Sequence, residues 1–221
     1  MNKPISHPDP ERATDQLITR LAYEMNGAQQ RRPSHELVLI GSLFLAMVAA
    51  VLSVFAIAAP RADLTTIWMS WTLQYKVIGM LLLIGGAIQM TRTAMLPGLV
   101  LRPGRLLFPA FLFLAIGAFL DSSAFPIMGT HALAVPTCVG TIIAVSIGPL
   151  SILLLAMRRG IVTRPRQAGS VAGILSGSLG ALAYTLACVN DGAEFVALWY
   201  ACAVAIVGAI GAIIGAKTLS W

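Results

Sequence analysis

Apolar positions in this chain come in long uncharged runs separated by short polar segments. Leu37–Ala59, Ala132–Met157, Gln167–Asn190 and Phe195–Ala216 are uncharged over 23, 26, 24 and 22 residues. Each is long enough to cross a hydrocarbon core of ~30 Å at ~1.5 Å per residue. Two further runs are less clean. One extends from Trp71 to Thr91 and carries Lys76 near its start. The other begins at Leu106, has fifteen residues before Asp121, and is expected to continue through Ser122 and Ser123 towards Phe125. The pattern predicts an all-α integral membrane protein, a bundle of six transmembrane helices. With no water in the bilayer core, the spans must be helical throughout. Pro109 falls in the first turn of span three and is harmless there. Pro149 lies mid-way along span four and should kink it, with Ser146 placed to help satisfy the freed groups. Gly169, Gly173, Gly177 and Ala181 recur every fourth residue on span five. Ala201, Ala205 and Ala209 do so on span six, where Gly211 and Gly215 form a GxxxG. Such stripes let helix backbones approach closely, and packing of spans five and six within one chain outweighs dimerisation.

The segment before the first span reads differently. Asp9 can cap a helix with Pro10 at its first position and Glu11 in its first turn, and Gly27 is a plausible stop. Leu17, Ile18, Leu21 and Met25 fall on one face of that helix, with Ala22 beside them. A helix of about eighteen residues is marginal alone, so the stripe needs the membrane surface, the protein's own inner loops or another protein. A membrane-surface helix carries a basic polar face. Here Glu11, Asp15 and Glu24 stand against Arg12 and Arg20, which favours a protein partner seated on the apolar stripe. The domains predicted are a cytoplasmic segment over 1–36 with this partner-binding helix, a six-helix transmembrane domain over 37–216, and a cytoplasmic end over 217–221.

Composition agrees with burial in lipid. The 221 residues are 57% hydrophobic and 11% charged, with a mean hydropathy of +0.83, too little charge to cover a soluble domain. The net charge of +6 raises the question of nucleic acid. The basic residues sit at the ends of apolar runs without a basic stripe interleaved with aromatics, which excludes direct nucleic-acid binding. Thirteen of the fifteen lie on one side: Lys3, Arg12, Arg20, Arg31 and Arg32 before span one, Arg92, Arg102 and Arg105 in the second loop, Arg158, Arg159, Arg164 and Arg166 in the fourth, and Lys217 at the end. Arg61 and Lys76 are on the other. The bias puts both termini in the cytoplasm and makes the span number even. Trp68, Trp71 and Tyr75 then mark the outer interface before span two, Trp199 and Tyr200 the outer end of span six, and Trp221 the inner interface. No secretory signal peptide opens the chain, and no loop could hold a folded catalytic domain, so the protein is not expected to be an enzyme.

The candidate chemistry is sparse. There are three cysteines, with no CxxC and no metal-site spacing. Topology places Cys138 at the outer start of span four and Cys188 at the outer end of span five, at similar depth. Cys202 should sit in the apolar core as a small hydrophobe. Two thiols on an oxidising face can form a disulfide, bind a soft metal or react with a thiol-reactive oxyanion; they can equally be ordinary interfacial residues. His131 is a weak third ligand candidate on the same side. Lys76, Asp121, Asp191 and Glu194 all map to outer span ends. Charges in spans are functional candidates, and Lys76 has the cheaper option of snorkelling outwards. No charge sits at mid-span and no paired broken helices occur, against an ion-coupled small membrane transporter. A thiol-redox membrane enzyme needs paired thiols at redox-motif spacing, and only isolated cysteines occur.

Taken nearly end to end, the chain resembles NrsF-type membrane anti-sigma factors, negative regulators of extracytoplasmic-function sigma factors. The residues that carry the resemblance are TDQLITRLAYEM at Thr14–Met25, RRGIVTRP at Arg158–Pro165 with Ala168 and Gly169, AGILSGSLGALAYTLAC at Ala172–Cys188, FVALWY at Phe195–Tyr200, and the final Trp221. The resemblance implies a six-span protein of the bacterial inner membrane that sequesters an extracytoplasmic-function sigma factor. It also implies that Cys138 and Cys188 are needed for release under oxidant or heavy-metal stress, and it calls for no cofactor and no resident metal. Two departures stand out. The family often has His before and Pro after its second cysteine, where Ala187 and Val189 stand here, which weakens a metal-ligand role for that neighbourhood. A Pro-Val pair commonly follows the opening helix, where Asn26 and Gly27 stand here. The topology is checked by reporter fusions at Trp221: a reporter active only in the cytoplasm is expected, and one active only in the periplasm refutes the charge argument.

Overall fold

The structure, a computed structural model, describes residues 14–16, 18–20, 35–95, 103–121, 125–158 and 164–220. The chain divides into a small unit, Met1–Val38, and a larger one, Leu39–Trp221. In the first, Thr14–Gln16 and Ile18–Arg20 are helical, and the Thr19 hydroxyl donates to the Asp15 carbonyl at 2.8 Å. Ile18 is exposed. Leu17, Leu21 and Met25 of the expected stripe lie outside the described residues, as do Asp9–Glu11, Gly27, Ser122, Ser123, most of the Arg158–Pro165 segment and Trp221.

Among the described residues there are helices and no strands. Six long helices succeed one another: α1 His35–Ile57, α2 Trp71–Met95, α3 Pro103–Leu120, α4 Ala134–Met157, α5 Pro165–Tyr184 and α6 Ala193–Thr218, with a one-turn helix Leu64–Ile67 between α1 and α2. Four of them, α1, α2, α4 and α6, are long and apolar enough to cross a membrane. Helix α3 is short, its apolar stretch covering Gly104–Leu120. Asp121 ends it, so the expected continuation towards Phe125 is corrected: the Asp121 carboxylate instead accepts the Ala193 N–H at 2.7 Å, at the start of α6. Helix α5 is diluted by Gly and Ser and closes at Tyr184, six residues before the expected Asn190.

Helix α5 is the centre of the bundle. Fourteen of its 20 residues are buried, and it packs on α6 above all, then on α4 and α2. Its buried hydroxyls are satisfied locally. Ser176 donates to the Gly173 carbonyl at 3.0 Å and Ser178 to the Ile174 carbonyl at 2.8 Å, so neither demands an outside partner. The seam with α6 is backbone against backbone. A side chain at Gly169 would strike the Gly211 carbonyl, one at Gly173 the Val207 carbonyl, and one at Gly211 the Gly169 carbonyl. The close approach within one chain is therefore real, but Ala205 and Ala209 are exposed, away from it. Val204, Val207, Gly208, Gly211 and Gly215 form the α6 face instead. In α4, Ser146 donates to the Ile142 carbonyl at 2.7 Å rather than to the carbonyl that Pro149 strands, and Gly180 of α5 leaves room for that hydroxyl.

Two apolar clusters fill the bundle. One gathers Tyr75, Leu114, Cys138, Tyr184, Phe195 and Tyr200. The other gathers Ile84, Leu150, Leu153, Met157, Ala172 and Leu175. Tyr75 is not an interface residue as expected. It is buried, donates to the Leu114 carbonyl at 2.6 Å and stacks on Phe113, in space that Gly117 leaves for its ring. Trp68 and Trp71 are exposed.

Replacing Gly173 with Leu is expected to lower stability by about 1–3 kcal/mol, because overpacking against backbone cannot relax by a rotamer change. Gly140→Ala, which meets open space, is expected to stay within about 0.5 kcal/mol. Thermal unfolding in detergent micelles distinguishes the two, and equal melting temperatures would contradict the tight seam.

Candidate functional site

Two of the three cysteines meet in the first cluster. Cys138 projects from the second turn of α4 and Cys188 from the segment that follows α5. Both are free thiols, both are buried, and both belong to the same apolar cluster. The Cys188 sulphur also donates to the Asn190 carbonyl at 3.9 Å. Their proximity depends on α5 ending early: after Tyr184 the chain turns through Thr185–Ala187 and lays Cys188 back against α4. Cys202, expected in the core, is exposed on α6. Helix α6 begins with a single turn, then runs as a π-helix over Val196–Tyr200 before becoming α-helical. Tyr200, expected at the outer interface, is instead wholly buried beside the thiols, and the Tyr184 and Tyr200 rings lie 6.3 Å apart. The Tyr200 hydroxyl has no hydrogen-bond partner of ordinary geometry among the described residues.

The segment carrying Cys188 is held from three directions. Lys76, the sixth residue of α2, does not snorkel. It is wholly buried, its ammonium donates to Asp191 Oδ1 at 2.7 Å, and it lies 3.4 Å from the Cys188 carbonyl. Arg61, from the loop after α1, donates through Nη1 to the same carbonyl at 3.0 Å and to Asp191 Oδ1 at 3.0 Å, and through Nη2 to Asp191 Oδ2 at 3.1 Å. Its backbone N–H reaches the Leu186 carbonyl at 3.1 Å, and Asp63 pairs with its other edge at 2.7 Å. Burial works against the Asp191 carboxylate, but Arg61 and Lys76 outweigh it and hold it below the usual carboxylate range. The Asp63 hydrogen bond, with Asp191 behind it, raises the Arg61 guanidinium above its usual value despite desolvation.

From the second direction, the loop before α4 grips Asn190. Thr130 donates to Asn190 Oδ1 from its N–H at 3.4 Å and its hydroxyl at 3.3 Å. The turn depends on Gly129, which has a φ of +82°, a conformation that disfavours a side chain. His131 is exposed and bonds its Nδ1 to the Thr130 hydroxyl at 2.6 Å. From the third direction, Asp121 fixes Ala193, as above, and Trp199 Nε1 donates to the Ile127 carbonyl at 2.8 Å.

The sequence pairs Cys138 with Cys188 by depth and marks Lys76 and Asp191 singly, but it does not join those charges to the thiols. A signal was present: Arg61 and Lys76 are the two cations outside the thirteen on the other side, and an acidic residue directly follows the Cys188 segment. The π turn had no such signal beyond coinciding with the FVALWY stretch.

The sequence profile of the family described as "Negative regulator of sigma F" matches residues 25–221. The "Anti-sigma-F factor NrsF" of Caulobacter vibrioides is 29% identical over 216 residues, 94% of this chain and 99% of that protein. The "Probable anti-sigma-F factor NrsF" of Azospira oryzae is 35% identical over 85 residues, 38% of this chain and 40% of that protein. No solved structure matches. The family profile spans the thiol pair, its ion cluster and all six long helices, and the chain belongs to the family of negative regulators of sigma F.

Proposed function

We propose that this protein is a six-span anti-sigma factor of the bacterial inner membrane. Both termini lie in the cytoplasm, where the opening helix holds an extracytoplasmic-function sigma factor on its Leu17, Ile18, Leu21 and Met25 face. The protein releases that factor when Cys138 and Cys188 are modified by an oxidant or a heavy metal at the periplasmic side. The observation that carries the sensing part is the gathering of two buried free thiols, one on α4 and one just after α5, in a single cluster.

The physical link from thiols to release runs along α4 and α5. Cys138 sits in the second turn of α4 and Cys188 follows α5, so a bond between them, or a metal bridging them, changes how the two helices sit. Both helices run to the opposite end, where Arg158 and Arg164 lie. There Arg158 Nε donates to the Thr218 carbonyl at 2.9 Å, so α4 and α6 are tied where the basic loop begins. A disulfide is typically worth about 2–4 kcal/mol, enough to shift a two-state equilibrium substantially.

Two substitutions test the two halves. Leu17→Glu with Leu21→Glu is expected to abolish co-purification of the sigma factor from solubilised membranes and to switch its genes on constitutively; unchanged repression at normal protein level rules out this helix as the docking face. Cys138→Ser with Cys188→Ser is expected to leave the sigma factor bound after oxidant or heavy-metal challenge, whereas Cys202→Ser responds as the parent does. Normal release from the double variant ends the sensing proposal.

A further inference from the structure

A fully buried ammonium needs a reason. Lys76 Nζ is 2.7 Å from Asp191 and 3.4 Å from the Cys188 carbonyl, and it acts electrostatically on both thiols. Asp191 is shared with Arg61, which grips the same carbonyl. Two distant parts of the chain, the α1–α2 loop and α2, therefore converge on the backbone of one cysteine and share Asp191 three residues beyond it. If the cluster served bundle stability alone, apolar residues of like volume would do as well or better. Its placement on Cys188 is what an apolar substitute could not reproduce.

We propose that Lys76, held by Asp191, is a positioning residue for the Cys138–Cys188 pair, so that the reactivity of Cys188 is set by a buried charge on a different helix. The thiolate, not the thiol, is the nucleophile and the metal ligand, and a neighbouring ammonium favours it. In a low-dielectric surrounding that attraction is stronger than at a wet surface. The groups facing Cys188 are Cys138 from α4, Tyr184 from α5, Tyr200 from α6, Lys76 from α2 and the Arg61–Asp191 pair. Of these, only Lys76 and Arg61 bring positive charge; both pair with Asp191, and Arg61 pairs with Asp63 as well. The same charge holds the segment in place through Asp191, so geometry and ionisation of the thiol are set together. The biological weight of the inference rests on the thiol pair being the sensing element proposed above.

The test uses the full-length protein in lipid nanodiscs, with Cys202→Ser to leave two thiols. Alkylation of Cys188 by iodoacetamide is followed across pH by peptide mass spectrometry. Lys76→Met is expected to move the midpoint of the rate profile up by about one pH unit or more, slowing alkylation about tenfold at neutral pH. Lys76→Arg is expected to restore the parent profile. Should Lys76→Met fail to fold, Lys76→Gln keeps a donor for Asp191 without the charge and is expected to give the same upward displacement. Profiles of the neutral variants that superimpose on the parent overturn the proposal, and so does an equal displacement in Lys76→Arg, which marks a merely structural side chain. Sensing is read separately, by sigma-factor release in cells from the Cys138→Ser, Cys188→Ser variant. A displaced profile with release independent of the cysteines upholds the role of Lys76 and removes the sensor reading. An undisplaced profile with cysteine-dependent release does the reverse.

Discussion

An ammonium group withdrawn from water must be paired, and the whole thiol end of this bundle is arranged around that requirement. Desolvating a charge costs several kcal/mol, and stripping a buried ion of its partner typically costs about 3–5 kcal/mol. Lys76 is wholly enclosed and Asp191 is its carboxylate. To bring Asp191 to α2, the chain must leave α5 at Tyr184 and fold back, and that same turn carries Cys188 to Cys138. The connection before α2 is recruited through Arg61, which covers the remaining face of the carboxylate. Helix endings, loop path and thiol contact are thus consequences of one electrostatic demand.

At the opposite end the constraint is steric. In an apolar solvent helices gain little from hiding hydrophobic surface, so contact must come from close packing. Glycines at 169, 173, 211 and 215 let α5 and α6 meet backbone to backbone. The bundle is held by charge pairing at one end and by the absence of side chains at the other. Neither depends on the hydrophobic effect that dominates soluble cores.

Much of this was legible in the chain. Run length found the helices to within a few residues at most ends, because a hydrophobic span has one job and a fixed length. The glycine repeat on α5 foretold the seam with α6, since every fourth position returns to one helix face. What failed did so for definable reasons. Run length cannot distinguish an apolar residue in a helix from one in a buried turn, so Thr185–Asn190 reads as part of span five although α5 closes at Tyr184. Hydropathy assigns a lone lysine the cheapest fate available locally, and the partner that changed the fate of Lys76 lies 115 residues away. On α6 the spacing of Ala205 and Ala209 picks the face opposite the glycine seam, and depth along the span, which places Tyr200 and Cys202, does not say which way a side chain faces.

That short π stretch carries a geometric meaning of its own. A π turn accommodates one residue more than an α turn, and each residue of an α-helix advances its face by about 100°. Helix α6 therefore contains two phases. Its first two turns are aimed by what Phe195, Trp199 and Tyr200 must reach, and its remainder by where the glycines must lie. The bulge works as a phase shifter that lets one continuous rod obey two incompatible angular instructions. One side of it can thus bring Tyr200 to the thiol cluster while the other keeps Gly211 and Gly215 on the seam.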